Sequence, residues 1–103
     1  MKEVLDNNFI TIQGFMVNQL GLKGNDLLIY ALIYGFSQDG ESMFFGSRNY
    51  IAKWFNISLP TVDKALDNLI TLGLIEKHQE IINGVKFNRY RVNFTGSKET
   101  LRG

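Results

Sequence analysis

Asn83-Gly84 is the feature that most restricts what this chain can fold into. The dipeptide separates two runs rich in β-branched and aromatic residues, Ile75 to Ile81 and Val85 to Phe94. A two-residue loop between such runs needs positive φ at both central positions, which Asn and Gly tolerate, so a β-hairpin is expected. What precedes the hairpin narrows the choice further. Gly73, followed by Leu74, has the form of a left-handed C-terminal helix cap. The helix it closes begins behind Ser58, a good N-cap, with Pro60 in the first turn, where a missing N–H costs nothing. It runs to Leu72, and Val62, Ala65, Leu66, Leu69 and Ile70 make one apolar stripe along it.

A shorter helix, Arg48 to Phe55, lies just upstream behind the caps Gly46-Ser47 and is interrupted at Asn56. Two helices that cross steeply over a short turn need a small residue at their close approach, and Ala52 supplies it. The turn needs a residue that tolerates positive φ, and after Gly the best choice is Asn, here Asn56. Ile51, Phe55 and Ile57 point inward around that turn. A helix-turn-helix followed at once by a hairpin is the order of a winged helix.

Earlier in the chain, Phe9-Ile10-Thr11-Ile12 is short and β-branched, and a strand is expected there, ended by Gly14. Phe15 to Leu20 fits one or two helical turns, and Gly21 and Gly24 frame a turn. Asn25 caps a helix from Asp26, DLLIYALIYGFS, which is apolar almost all round and so needs cover on most sides. Gln38-Asp39-Gly40-Glu41 is a polar loop, and Met43-Phe44-Phe45 a short extended piece. The expected class is α+β: a winged helix-turn-helix with a three-helix core, a C-terminal hairpin wing and a short N-terminal strand. The domain spans 9–94, between a flexible N-terminus at 1–8 and a flexible tail at 95–103.

Composition excludes several functions. With 103 residues, 45% hydrophobic and 20% charged, the chain has one globular domain's worth of core. It has no cysteine, which removes disulfides and thiolate metal sites and suits a reducing cytoplasm. With a single histidine, His78, a zinc site would need carboxylates arranged around it; no metal is expected, and His78 reads as a surface strand residue. There is no signal-like N-terminus, and the longest apolar stretch, Leu27 to Phe36, is ten residues, about half of what a bilayer requires. The sequons at Asn56 and Asn93 are chance matches on this reading. No phosphate loop, nucleophile-and-base set or ligand cluster is present, so no enzyme, cofactor, small-molecule substrate or membrane partner is expected.

The net charge of +1 hides an asymmetry: residues 1–46 carry −3 and residues 47–103 carry +4. The positive half holds the helix-turn-helix, a modest electrostatic footprint for double-stranded DNA. On the outward face of the second helix, Ser58, Thr61 and Lys64 are placed to reach phosphates or base edges. Asn68 suits adenine and Leu59 a thymine methyl. Asp63 and Asp67 oppose binding, each facing phosphate repulsion unless it is paired within the protein. The hairpin adds Lys77, His78, Lys86, Arg89 and Arg91. Arg89 and Arg91 share a strand face with Phe87, so one face of the wing is expected to be basic, while Tyr90 and Val92 pack on the helices. Tyr30, Tyr34, Tyr50 and Trp54 are expected in or beside the core.

Three segments also resemble a known group: FITIQGFMVNQLGLKGNDLLIYALIYGFSQDGES, YIAKWFNISLPTVDKALDNLITLGLIEK and IINGVKFNRYRVN. They are similar to winged helix-turn-helix N-terminal domains of plasmid replication initiators (the RepA N-terminal type) and phage replisome organisers of Gram-positive bacteria, distantly DnaD-like. The resemblance covers about Phe9 to Asn93. It implies DNA binding at a replication origin, commonly as a homodimer and alongside replication proteins, with Ser58, Thr61 and Lys64 at the recognition positions. It also implies a second domain, which residues 95–103 are too short to supply, so the chain reads as a fragment or a stand-alone protein. Members of that group often carry more Arg or Lys in this helix than SLPTVDKALDNL offers. A transcriptional repressor of the same fold, and a protein-interaction module without DNA binding, are the alternatives.

Overall fold

The architecture follows from a computed structural model that describes residues 6–36 and 47–93. Residues 1–5, the polar loop at Gln38 to Glu41, the extended piece Met43 to Phe45, Gly46 and the tail at 95–103 lie outside the described residues.

Among the described residues, four helices and two strands occur in the order α1 (Gly14–Asn18), α2 (Gly24–Phe36), α3 (Arg48–Phe55), α4 (Leu59–Thr71), β1 (Ile75–Ile82) and β2 (Val85–Val92). The strands form an antiparallel hairpin that pairs Ile82 with Val85 and continues without a bulge to Ile75 with Val92. Asn83 and Gly84 have φ of 52° and 79°, the paired positive values that an Asn-Gly turn supplies. This is the winged-helix arrangement.

Local chemistry fixes the helix ends. The Ser47 hydroxyl accepts from the Tyr50 N–H and starts α3, and the Ser58 hydroxyl accepts from the Thr61 N–H and starts α4. Between them Asn56 is left-handed, φ 54° and ψ 50°, and turns the chain steeply. At the end of α4 the Gly73 N–H bonds to Ile70 O and the Leu74 N–H to Leu69 O, the double closure that a left-handed Gly73 at φ 76° permits. Asn93 then ties the far end of the hairpin to this corner. Its N–H bonds to Leu74 O at 2.9 Å and its Nδ2 to Gly73 O at 3.1 Å.

The core lies where α2, α4 and the base of the hairpin meet. Ile29 to Ile33 of α2 are all buried, as so uniformly apolar a helix requires. Val62, Ala65, Leu66 and Leu69 of α4 face them, and Ile75, Tyr90 and Val92 close the hairpin side. From α3 only Ile51 is fully buried; Tyr50, Ala52, Trp54 and Phe55 pack at the margin. Met16 and Leu22 cover the other end, and Phe15 stacks at a tilt on Tyr34, centroids 5.6 Å apart.

Two expectations differ. Residues 9–12 form no strand among the described residues, and Phe9 is 81% exposed. A strand needs a neighbour for its N–H and C=O groups, and among the described residues β1 and β2 pair only with each other. Helix α2 begins at Gly24 rather than behind Asn25, because a glycine at φ 59° redirects the chain into the helix, with the Leu27 N–H reaching Lys23 O.

Candidate nucleic-acid interface

Helix α4 carries its buried stripe on one side, which leaves Pro60, Lys64, Asp67 and Thr71 on the opposite side by helical period. Two flanks border that outer face. On one, Asn68 donates through Nδ2 to Asp26 Oδ2 at the start of α2. Asn68 is therefore engaged in joining the two helices, where the sequence suggests a base contact. On the other, Asp63 accepts from Arg48, whose Nη1 lies 2.7 Å from both carboxylate oxygens. Asp63 is thus paired within the protein, by a residue 15 positions away that nothing in the local sequence singles out.

At the N-terminal end of α4, Ser58 and Thr61 are tied together. Their hydroxyls share a hydrogen bond of 2.8 Å while Ser58 caps the helix. Leu59 is half-buried, and Lys64 is exposed. So of Ser58, Leu59, Thr61, Lys64 and Asn68, Lys64 is the residue that presents an uncommitted charge to solvent.

The hairpin register separates the wing's charges onto two faces. Cross-strand partners share a face, so Glu76, His78 and Glu80 lie with Arg91, Arg89 and Phe87. On that face Arg89 Nη2 sits 2.6 Å from Glu80 Oε1, and Arg91 Nη2 sits 3.1 Å from Glu76 Oε1. His78 Nε2 approaches the same Glu76 oxygen at 2.9 Å. Hydrogen bonding to His78 first, and then to Arg91, holds the Glu76 carboxyl below its ordinary value. The face expected to be basic is therefore an alternation of acids and bases, with both arginines matched by a glutamate.

Lys77 and Lys86 occupy the other face, the one whose base, Ile75, Tyr90 and Val92, packs on the helices. A cleft of about 320 Å³ opens between this face and α4, bounded by Arg48, Asp63, Asp67, Lys77, Asn88 and Tyr90. Burial pushes the Tyr90 phenol up from its usual range, assisted by Asp63 and Asp67 and opposed by Arg48, so it is a neutral floor to the cleft. Lys64, Lys77 and Lys86 make no ion pair among the described residues. The tip of the hairpin is apolar, with Ile81, Ile82, Val85 and Phe87 between 42% and 67% exposed.

The described residues contain no group of three His, Cys, Asp or Glu side chains placed to hold a metal ion. Among them no helix is long and apolar enough to cross a membrane.

Residues 20–75 match the family model described as a helix-turn-helix domain, which takes in α2, α3, α4 and the hairpin's first residue. Comparison with curated proteins finds no match. Among solved structures, the chain is similar to a protein described as "Possible transcriptional regulator from Methanosarcina mazei Go1". The identity is 13%, the TM-score 0.56, and the match covers 84% of this chain and 73% of that one. It is also similar to a mutant form of S. aureus MepR, at 20% identity and a TM-score of 0.58, over 84% of this chain. The match spans 59% of the MepR chain's length. At these identities the likeness is one of fold, and the resemblance to replication initiators is carried no further by it.

Proposed function

The chain belongs to the helix-turn-helix domain family, and on that premise we propose that it binds duplex DNA, with α4 in the major groove and the hairpin following the backbone beyond it. The observation that carries this reading is the placement of three lysines that make no ion pair among the described residues. Lys64 stands on the exposed side of α4, and Lys77 and Lys86 stand on the hairpin face turned toward α4. Arg89 and Arg91, on the opposite face and matched by Glu80 and Glu76, contribute little. Three lysines and few free polar groups for base edges make this predominantly a phosphate-binding surface, with modest sequence discrimination.

Control of transcription is the role we favour, because the M. mazei protein of similar fold is described as a possible transcriptional regulator. Replication initiation is the second reading, favoured by the resemblance carried by the DLLIYALIYGF helix and the IINGVKF hairpin. Sequencing the genomic DNA that the protein retains distinguishes the two: promoters on the first reading, an origin on the second.

Fluorescence anisotropy with a random-sequence duplex over a salt series tests DNA binding itself. The expected dissociation constant is about 1–100 μM near physiological salt, the usual range of phosphate-driven binding. Lys64→Ala, Lys77→Ala and Lys86→Ala should each weaken binding and flatten the salt dependence, whereas Arg91→Ala should leave the slope unchanged. Absence of binding at about 50 mM salt rejects the proposal.

A further inference from the structure

The pairing of Arg48 with Asp63 has an unusual setting for a stabilising contact. Arg48 is the first residue of α3 and Asp63 lies one turn into α4, so the pair spans the two helices of the helix-turn-helix at the lip of the cleft that Lys77 and Asn88 border. Both side chains are nearly half exposed, 44% and 45%, and an ion pair so open to water and salt adds little to stability. Both hydrogen bonds leave from one nitrogen, Nη1. The remaining guanidinium donors, Nε and Nη2, make no further hydrogen bond among the described residues. The guanidinium is thus held in place by a weak, solvent-exposed partner while most of its donor fork is open, and that fork matches a phosphate as well as a carboxylate.

We propose that Arg48 is a further DNA-phosphate ligand and that Asp63 competes with the phosphate for it. This rests on the DNA-binding reading above. In the free protein the pair is neutral and lowers the positive potential of the cleft. On the duplex, Arg48 exchanges the carboxylate for a phosphodiester oxygen, and the carboxylate it leaves recruits a cation from solution. That uptake offsets one of the counterions released from the DNA, so Asp63 makes binding both weaker and less salt-dependent than the lysines and Arg48 alone would make it. Asp63 thereby restrains binding to arbitrary duplex.

The test is a double-mutant cycle on the full chain, read by anisotropy with a random-sequence duplex across a salt series. Asp63→Asn keeps the shape and removes the charge. It should tighten binding about three- to tenfold at low salt and steepen the salt slope by about 0.9, the increment of one further net phosphate neutralised. In the Arg48→Ala background the same substitution should leave the slope unchanged, because no guanidinium is there to be released. Urea midpoints of all four proteins establish that each is folded, and Asp63→Ser should repeat the result of Asp63→Asn. An unchanged slope in Asp63→Asn, or an equal change with and without Arg48, overturns the proposal while DNA binding stands. Failure of both the parent and Asp63→Asn to bind rejects the DNA reading and this inference together.

Discussion

Ile51 gives the sharpest stability test, because α3 depends on it so heavily. It is fully buried, and every other apolar side chain of that helix is only partly covered. Ile51→Ala removes three carbons, roughly 0.8 kcal/mol each in transfer free energy, or about 2.4 kcal/mol. The neighbours come from α4 and the core and are themselves fixed by packing, so a cavity remains and raises the cost to about 3–4 kcal/mol. For a domain of this size each kcal/mol is worth roughly 4–8 °C, so the melting temperature should fall by about 12 °C or more. Urea unfolding followed by far-ultraviolet circular dichroism measures the loss directly, with the slope unchanged if the native state keeps its compactness. Ile51→Val, which removes one carbon, should cost about 0.5–1.5 kcal/mol. A loss below about 1 kcal/mol for Ile51→Ala would refute this packing of α3.

Two further outcomes follow from individual contacts. Ser58→Ala removes the hydroxyl that caps α4 and should cost about 1 kcal/mol in urea unfolding, with Ser58→Gly costing only a few tenths; equal losses for the two would contradict the capping role. Glu76 has its carboxyl pKa lowered on folding, by the His78 hydrogen bond first and by Arg91 second, relative to an ordinary value of 4.5. A lowered folded-state pKa stabilises the fold above the unfolded value, and that contribution is lost as pH falls from about 4.5 through the lowered value. Glu76→Gln should therefore be less stable than the parent near neutral pH and converge with it in acid, as urea midpoints against pH will show. A constant gap at every pH would mean that the charge of Glu76 is not what matters.

Much of the fold is legible in the sequence because its determinants are local. Ser47, Asn56, Ser58 and Gly73 each act on backbone within a few residues, so α3 and α4 are readable almost to the residue. Asn83-Gly84 acts the same way on the hairpin. The strand expected at 9–12 does not form because strand formation depends on a distant neighbour, which composition does not reveal. The start of α2 lies earlier than expected because Gly24 serves both the turn and the helix it opens.

The site is less legible, for two different reasons. Reading Arg89 and Arg91 along one strand suggests a basic face, but the face is made by both strands. Counting outward from the Asn83-Gly84 turn puts Glu76 opposite Arg91 and Glu80 two places from Arg89's partner His78. That signal is present in the sequence, since a two-residue loop fixes the register. Arg48 with Asp63, and Asn68 with Asp26, are tertiary contacts 15 and 42 positions apart, and nothing local announces them.

The most direct measurement of the central claim is an amide NMR titration of the protein with a short duplex. The expected shifts cluster at the start of α4, at Lys64, and at Lys77 and Lys86 on the hairpin, with Arg48 joining them and the interior of α2 unmoved. Shifts confined to residues 9–18 and α2, or none at all at low salt, would contradict the assignment of this winged helix to DNA.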